Sequence, residues 1–196
     1  MIKEIAERRS IRSFKPDPVP QELIAELLHA GMLAPSSKNR QPWHFIVTAG
    51  DAKEDLLNAM AEGLKREKAV PFLPQSARYL AGAEHSLAIM REAPAVIWVT
   101  DPTGRDLTAP LTPEERVYEI CNAQSVGAAL ENMSLAATHL GLGSLWICDI
   151  YFAHRELTER LNSPGTICAA LALGYPDEAP FPRPRKEMDE VVEWRM

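Results

Sequence analysis

Apolar side chains recur along this chain in two patterns, a helical spacing of three and four positions and short unbroken runs, and their alternation outlines the elements. Leu23, Ile24, Leu27 and Leu28 repeat at helical spacing after Pro20, until Gly31 and Pro35 interrupt them. Trp43 to Ala49, Ala95 to Thr100, Ser144 to Ile150 and Thr166 to Gly174 are compact apolar or β-branched runs bounded by polar residues, and they read as strands. Helices are expected over residues 2–8, from about Asp51, and over about Ala153 to Asn162. Residues 63–83 hold Gly63, Pro71, Pro74 and Gly82 among helical positions, and predict a loop or lid with helical pieces. The pattern is α+β or a mixed sheet.

Thr112, Pro113 and Glu115 form a strong helix start: a hydroxyl cap, a proline in the first turn and an acid that closes a capping box. No breaker follows until Gly141, so the helix spans about 28 residues and about 40 Å at 1.5 Å per residue. Small residues dominate its middle, Cys121 to Leu130, where another helix can approach closely. Such a long, small-faced helix is better explained by burial between subunits than by one protomer's core. Beyond it, the proline-rich stretch Tyr175 to Arg185 predicts an extended tail, residues 175–196, packing on a partner subunit. Its last part, Val191 to Trp194, looks like a strand able to pair with a sheet edge.

Composition narrows the class. The 196 residues are 46% hydrophobic and 24% charged, the profile of one soluble domain over 1–196. A net charge of −6 opposes binding to nucleic acid or to an anionic membrane surface. No stretch reaches the roughly 20 apolar residues that span a bilayer, and the charged start predicts a cytoplasmic protein. Cys121, Cys148 and Cys168 are odd in number and far apart, which speaks against a disulfide frame. The five histidines show no metal-ligand spacing.

Four segments could carry chemistry. Arg8, Arg9, Ser10 and Arg12 combine forked guanidinium donors with a hydroxyl, a set suited to phosphate oxygens, although a solvated charged turn would look the same. Pro35, Ser36, Ser37, Asn39 and Gln41 lead into the aromatic strand, and their amides and hydroxyls could bond a flat heterocycle. Gly141 and Gly143 precede a strand instead of opening a helix and lack the third glycine, so they are no dinucleotide fingerprint; Gly141 reads as the cap of the long helix. Arg183 and Arg185 sit in the stiff tail, and two arginine clusters far apart in an acidic chain suggest convergence on one anion. No Walker loop or nucleophile elbow occurs, which disfavours nucleotide hydrolysis and acyl transfer.

Together these segments resemble the nitroreductase family. Arg8, Arg9, Ser10, Arg12 and Phe14, then Ala34 to Phe45, Gly141 to Ser144, Gly174 to Pro176 and Pro182 to Arg185 follow the family's order and spacing over nearly the whole chain. The resemblance implies a nitroreductase-like α+β fold, a mixed sheet flanked by helices, in a homodimer with two FMN sites at the interface. It implies that Arg8, Arg9, Ser10 and Arg185 hold the ribityl phosphate with help from Arg183, the arginine sets meeting once two copies associate, and that Arg12 lies by the pyrimidine edge of the ring. Pro35, Ser36, Ser37 and Asn39 would come from the other subunit and Gln41 would bond the ring, while Trp146, Ile147, Cys148 and Asp149 form the strand end behind the flavin. Cys148 stands where many members have glycine or an acid.

The implied activity is ping-pong electron transfer from NADH or NADPH to a small-molecule acceptor such as a nitroaromatic or quinone. The flavin carries the chemistry, so no catalytic side chain is required. The alternatives are another reaction on the same scaffold (reductive dehalogenation, enoate reduction, flavin cleavage) or a non-catalytic FMN-binding protein.

Overall fold

The computed structural model describes residues 1–196. Its helices and strands run α1 (Lys3–Glu7), α2 (Gln21–Met32), β1 (His44–Ala49), α3 (Gly50–Ala69), α4 (Leu80–Glu92), β2 (Ala95–Asp101), α5 (Pro113–His139), β3 (Gly143–Ile147), α6 (His154–Leu161), β4 (Thr166–Gly174) and α7 (Met188–Val191). The four strands form one sheet in the order β1-β2-β4-β3. Every neighbouring pair is antiparallel, and parallel pairing is confined to the single bridge between Ser10 and Ser144.

The sheet is covered on both faces, which explains why β2 is buried at every position. Val96 and Trp98 point into a core with Leu57 and Met60 of α3, Met90 of α4 and Leu157 of α6. Their neighbours Ala95, Ile97 and Val99 point the other way, onto Leu27 of α2 and Leu130 and Met133 of α5. The Trp98 indole satisfies its buried N–H by donating to Thr48 Oγ1 at 2.9 Å.

The capping box expected at Thr112 is present, and α5 runs 27 residues to a cap at Gly141, whose φ is +73°. Val117, Tyr118 and Ile120 on its first half are exposed. Helix α2 runs through Gly31 rather than stopping there. A Cβ at Gly31 would come within 2.8 Å of Met133, so this glycine lets α2 lie against α5.

Two expectations need correction. The loop or lid expected over 63–83 is mostly helical: α3 continues to Ala69 and α4 begins at Leu80, with a 3₁₀ turn at Pro74–Tyr79 between them. Gly63 is a contact residue, not a breaker, since a Cβ there would fall 2.3 Å from Ala153. The turn itself is fastened by Glu67, which is buried and accepts from the N–H groups of Phe72 (2.8 Å) and Leu73 (2.6 Å). Val191 to Trp194 forms no strand, because a capping box between Glu187 and Glu190 starts the short α7 and the residues after it pair with no edge.

Candidate functional site

The two ends of the chain meet at the free edge of β3. Ile11 N–H donates to Ser144 O at 3.0 Å, laying the N-terminal segment along that edge. Lys15 N–H donates to Tyr175 O and Asp177 N–H to Ser13 O, both at 2.9 Å, laying the tail against the same segment. The motif glycines make this approach possible. A Cβ at Gly143 would meet Ile11 at 2.9 Å, and one at Gly174 would meet Pro94 at 2.6 Å and Phe14 at 2.9 Å.

A cavity of about 400 Å³ results, and its wall holds Arg8, Arg9, Ser10 and Arg12 from the N-terminal segment with Arg183 and Arg185 from the tail. Both arginine sets are thus gathered within one chain, whereas the sequence reading required two copies for them to meet. Their guanidinium groups are steadied locally. Arg9 donates to Ala6 O and Arg8 O at 2.8 Å, Arg12 to Ser10 O at 3.2 Å, and Arg185 to Arg183 O at 3.1 Å, while Arg8 pairs with Glu131 of α5 at 3.5 Å. Most of these contacts are to neutral carbonyls, so the positive charge is left for an anion.

Glu178 is the one acidic group in that wall, and its carboxylate accepts from the Arg12 backbone N–H. Sequence reading missed it; its place three residues past Tyr175 in the docked tail is the only signal that could have found it.

The loop after α2 lies elsewhere. None of Pro35, Ser36, Ser37, Asn39 and Gln41 lines the arginine cavity of its own chain. Ser37 N–H leans on Ser125 Oγ of α5 at 3.4 Å, and Gln41 N–H donates to Ser36 Oγ at 3.0 Å. Lys38, Asn39 and Gln41 have φ of 54°, 52° and 50°, a left-handed conformation that costs non-glycine residues of the order of 1 kcal/mol or more each. Three such residues in four positions store strain in this loop.

At the end of β3, Trp146 and the next residue past the strand, Cys148, are exposed while Ile147 is buried between them. Asp149 begins the next turn and accepts from Ser86 Oγ at 2.5 Å, a contact absent from the sequence reading. Partial burial, and then the Asp149 carboxylate, push the Cys148 thiol above its ordinary range. The neighbouring Tyr151 phenol, which donates to Cys168 O at 2.9 Å, is pushed up to about 12 by burial and then by Cys168 and Cys148.

Because the folded Tyr151 holds its proton more tightly than the ordinary value of 10.0, its stabilising contribution is complete below pH 10 and is lost as pH rises towards 12. Tyr151→Phe should flatten the alkaline fall of melting temperature in that window. An unchanged alkaline profile in the variant would remove Tyr151 from the account.

The chain matches the model of the nitroreductase family over residues 5–175. It is 33% identical to a protein of Archaeoglobus fulgidus named as an NADH dehydrogenase/NAD(P)H nitroreductase, over 92% of this chain and 88% of that one. It is also 33% identical to the 5,6-dimethylbenzimidazole synthase of Rhodospirillum rubrum, over 89% of this chain and 82% of the relative. A protein from Desulfovibrio desulfuricans, named as a nitroreductase and solved in complex with FMN, superposes with a TM-score of 0.72 at 27% identity, covering 100% of this chain and 96% of that one. No helix is long and apolar enough to cross a membrane.

Proposed function

The chain belongs to the nitroreductase family, and from that premise we propose that it is an FMN oxidoreductase passing electrons from NADH or NADPH to a small acceptor such as a nitroaromatic or quinone, as a cytoplasmic homodimer. The observation that carries this reading is the gathering of five guanidinium groups from both ends of the chain around one cavity against a single carboxylate. Such a wall fits an anionic group such as a phosphomonoester.

The residues present fit FMN. Arg8, Arg9, Ser10 and Arg185 would hold its phosphate with Arg183 beside them, and the strand end Trp146, Ile147, Cys148 and Asp149 would back its ring. Arg12 would stand by the pyrimidine edge, where a permanent positive charge favours the anionic reduced ring. When bound, FMN supplies the two-electron chemistry, taking hydride from the nicotinamide and passing it on. The protein's own part is to fix the phosphate, exclude water from one side and keep a positive charge near the ring.

The homodimer is supported by two features. Val117, Tyr118 and Ile120 form an exposed apolar stripe on α5, and Pro35, Ser36, Ser37, Asn39 and Gln41 are kept away from the arginine cavity of their own chain, free to reach a partner's. The tail was expected to pack on a partner along residues 175–196, but its first part lies against the N-terminal segment of its own chain, so only the part beyond Arg185 would reach that partner.

The test is the purified protein's visible spectrum, followed by anaerobic NADH or NADPH. The expected result is a yellow protein that releases FMN on heating, bleaches with nicotinamide and regains colour with a nitro compound or quinone. A colourless preparation would end the reading. Likeness to 5,6-dimethylbenzimidazole synthase favours a second reading, a different reaction on the same scaffold. That reading predicts that bleached protein stays bleached with every nitro compound and quinone tried. Cys148→Ser should keep most of the turnover if only the backbone at that position meets the ring, and full loss of turnover with flavin still bound would assign a role to the thiol.

A further inference from the structure

A second cavity, of about 550 Å³, lies between the end of α3, the loop after β2 and α6. It is within the size range of small-molecule sites, and it shares no residue with the arginine cavity, the loop at 35–41 or the strand end at 146–149. One side of it is apolar. Val70, Pro71 and Phe72 are exposed there, and the buried Glu67 carboxylate fixes this rim by accepting from the Phe72 N–H at 2.8 Å.

The arginines of the wall are already paired. Glu156 binds Arg66 at 2.9 and 3.1 Å and Arg155 at 3.3 Å, and Glu67 also pairs with Arg66. The carboxylates of the wall, Asp106 and Glu159, pair with no cation. Asp106 accepts from the Thr108 hydroxyl and from the Thr108 N–H, at 2.6 Å, through Oδ1 alone, which leaves Oδ2 open. Those two bonds, the hydroxyl's first, hold the Asp106 carboxyl below its usual range, so it stays ionised.

His154 adds a third acceptor. Its Nε2 meets Thr166 Oγ1 at 2.7 Å and its ring stacks on Tyr151 with centroids 6.2 Å apart, so the imidazole is fixed while Nδ1 has no partner. Partial burial pulls the ring's pKa below its ordinary value and keeps it neutral; with Nε2 donating, Nδ1 accepts. The Thr158 hydroxyl on the same wall has no partner either. Acceptors in want of donors thus stand beside an apolar rim.

We infer that this cavity binds a small organic ammonium compound, its apolar body on Val70, Pro71 and Phe72 and its N–H groups turned to Asp106, Glu159 and His154. An ammonium supplies three donors and the one charge that the wall lacks, and an aromatic body gives Phe72 a ring to pack on. A carboxylate ligand would meet two unpaired carboxylates and find both arginines engaged. Because no residue is shared with the proposed flavin site, binding is expected with and without cofactor.

Three probes of similar shape test this: 2-phenylethylammonium, 2-phenylethanol and 3-phenylpropanoate, each titrated into the protein as purified, at slightly alkaline pH and physiological salt, and followed by ligand-observed NMR. The ammonium should bind more tightly than the alcohol or the carboxylate by about tenfold or more. Asp106→Asn combined with Glu159→Gln should remove most of that preference and leave the affinity for the alcohol unchanged, both side chains being exposed. Phe72→Ala should weaken the ammonium and the alcohol alike. Glu159→Lys, which sets an ammonium of the protein's own on the wall, should abolish ammonium binding while the melting temperature holds. Tightest binding by the carboxylate would overturn the inference and give the cavity to Arg155. Equal binding of all three probes, a preference that survives the double variant, or no ammonium binding at about 10 mM would overturn it as well.

Discussion

Replacing Arg8 or Arg185 by Ala should each weaken FMN retention by about 1.5–3 kcal/mol, roughly ten- to 150-fold in dissociation constant. The reason is that the two guanidinium groups enter one cavity from opposite ends of the chain, so each would supply a charge-assisted bond to the same phosphate. The double variant should lose somewhat less than the sum, because the two groups share one ligand and also repel each other while it is absent. Flavin fluorescence on dilution measures the constant. Arg8 additionally pairs with Glu131 on a half-exposed face, worth little to stability, so melting temperature should hardly move. Unchanged affinity in both single variants would contradict the phosphate placement.

The largest effect on stability should come from Glu67→Ala. This carboxylate is 2% exposed and serves the Phe72 and Leu73 N–H groups and the Arg66 guanidinium together. Removing it takes the acceptor from two backbone donors in the turn between α3 and α4 and leaves Arg66 with Glu156 and the Phe152 carbonyl. A loss of about 3–5 kcal/mol is expected. For a chain this long that is a fall in melting temperature of roughly 6–20 °C. Glu67→Gln keeps one acceptor and should lose less. A Glu67→Ala protein melting within about 2 °C of its parent would show that the turn is held by something else.

How much of this was legible in the sequence depends on whether a feature is local. The start of α5 was written in Thr112, Pro113 and Glu115, because a capping box is closed within four residues. The four strands were legible because both faces of the sheet are covered, so their apolar runs are nearly continuous. The segment 63–83 was misjudged because Gly63 looks the same to sequence reading whether it breaks a helix or admits Ala153, and only tertiary packing decides. Val191 to Trp194 has strand composition but no neighbour to pair with, and the local capping box prevailed.

In the candidate site the two arginine clusters were legible by residue type, and their convergence was inferred from charge. That they converge within a single chain was not, since it depends on Gly143 and Gly174 letting the N-terminal segment lie close to the sheet. Glu178 escaped notice because its residue type signals no role without its distant partner Arg12, and Ser86, which falls near a position where some family members place an Asn at the flavin edge, was not counted as a site residue because its bond to Asp149 is invisible in sequence.

That the anion cavity is walled by residues from the two extremities of the chain has a bearing on biosynthesis. A ribosome will have delivered all four strands and the helices packed on both sides of them before Arg183 and Arg185 leave the exit tunnel. If the cavity holds the flavin phosphate as proposed, capture waits until the tail is made, and a product cut short before Arg183 would keep its hydrophobic interior yet lack part of that cradle.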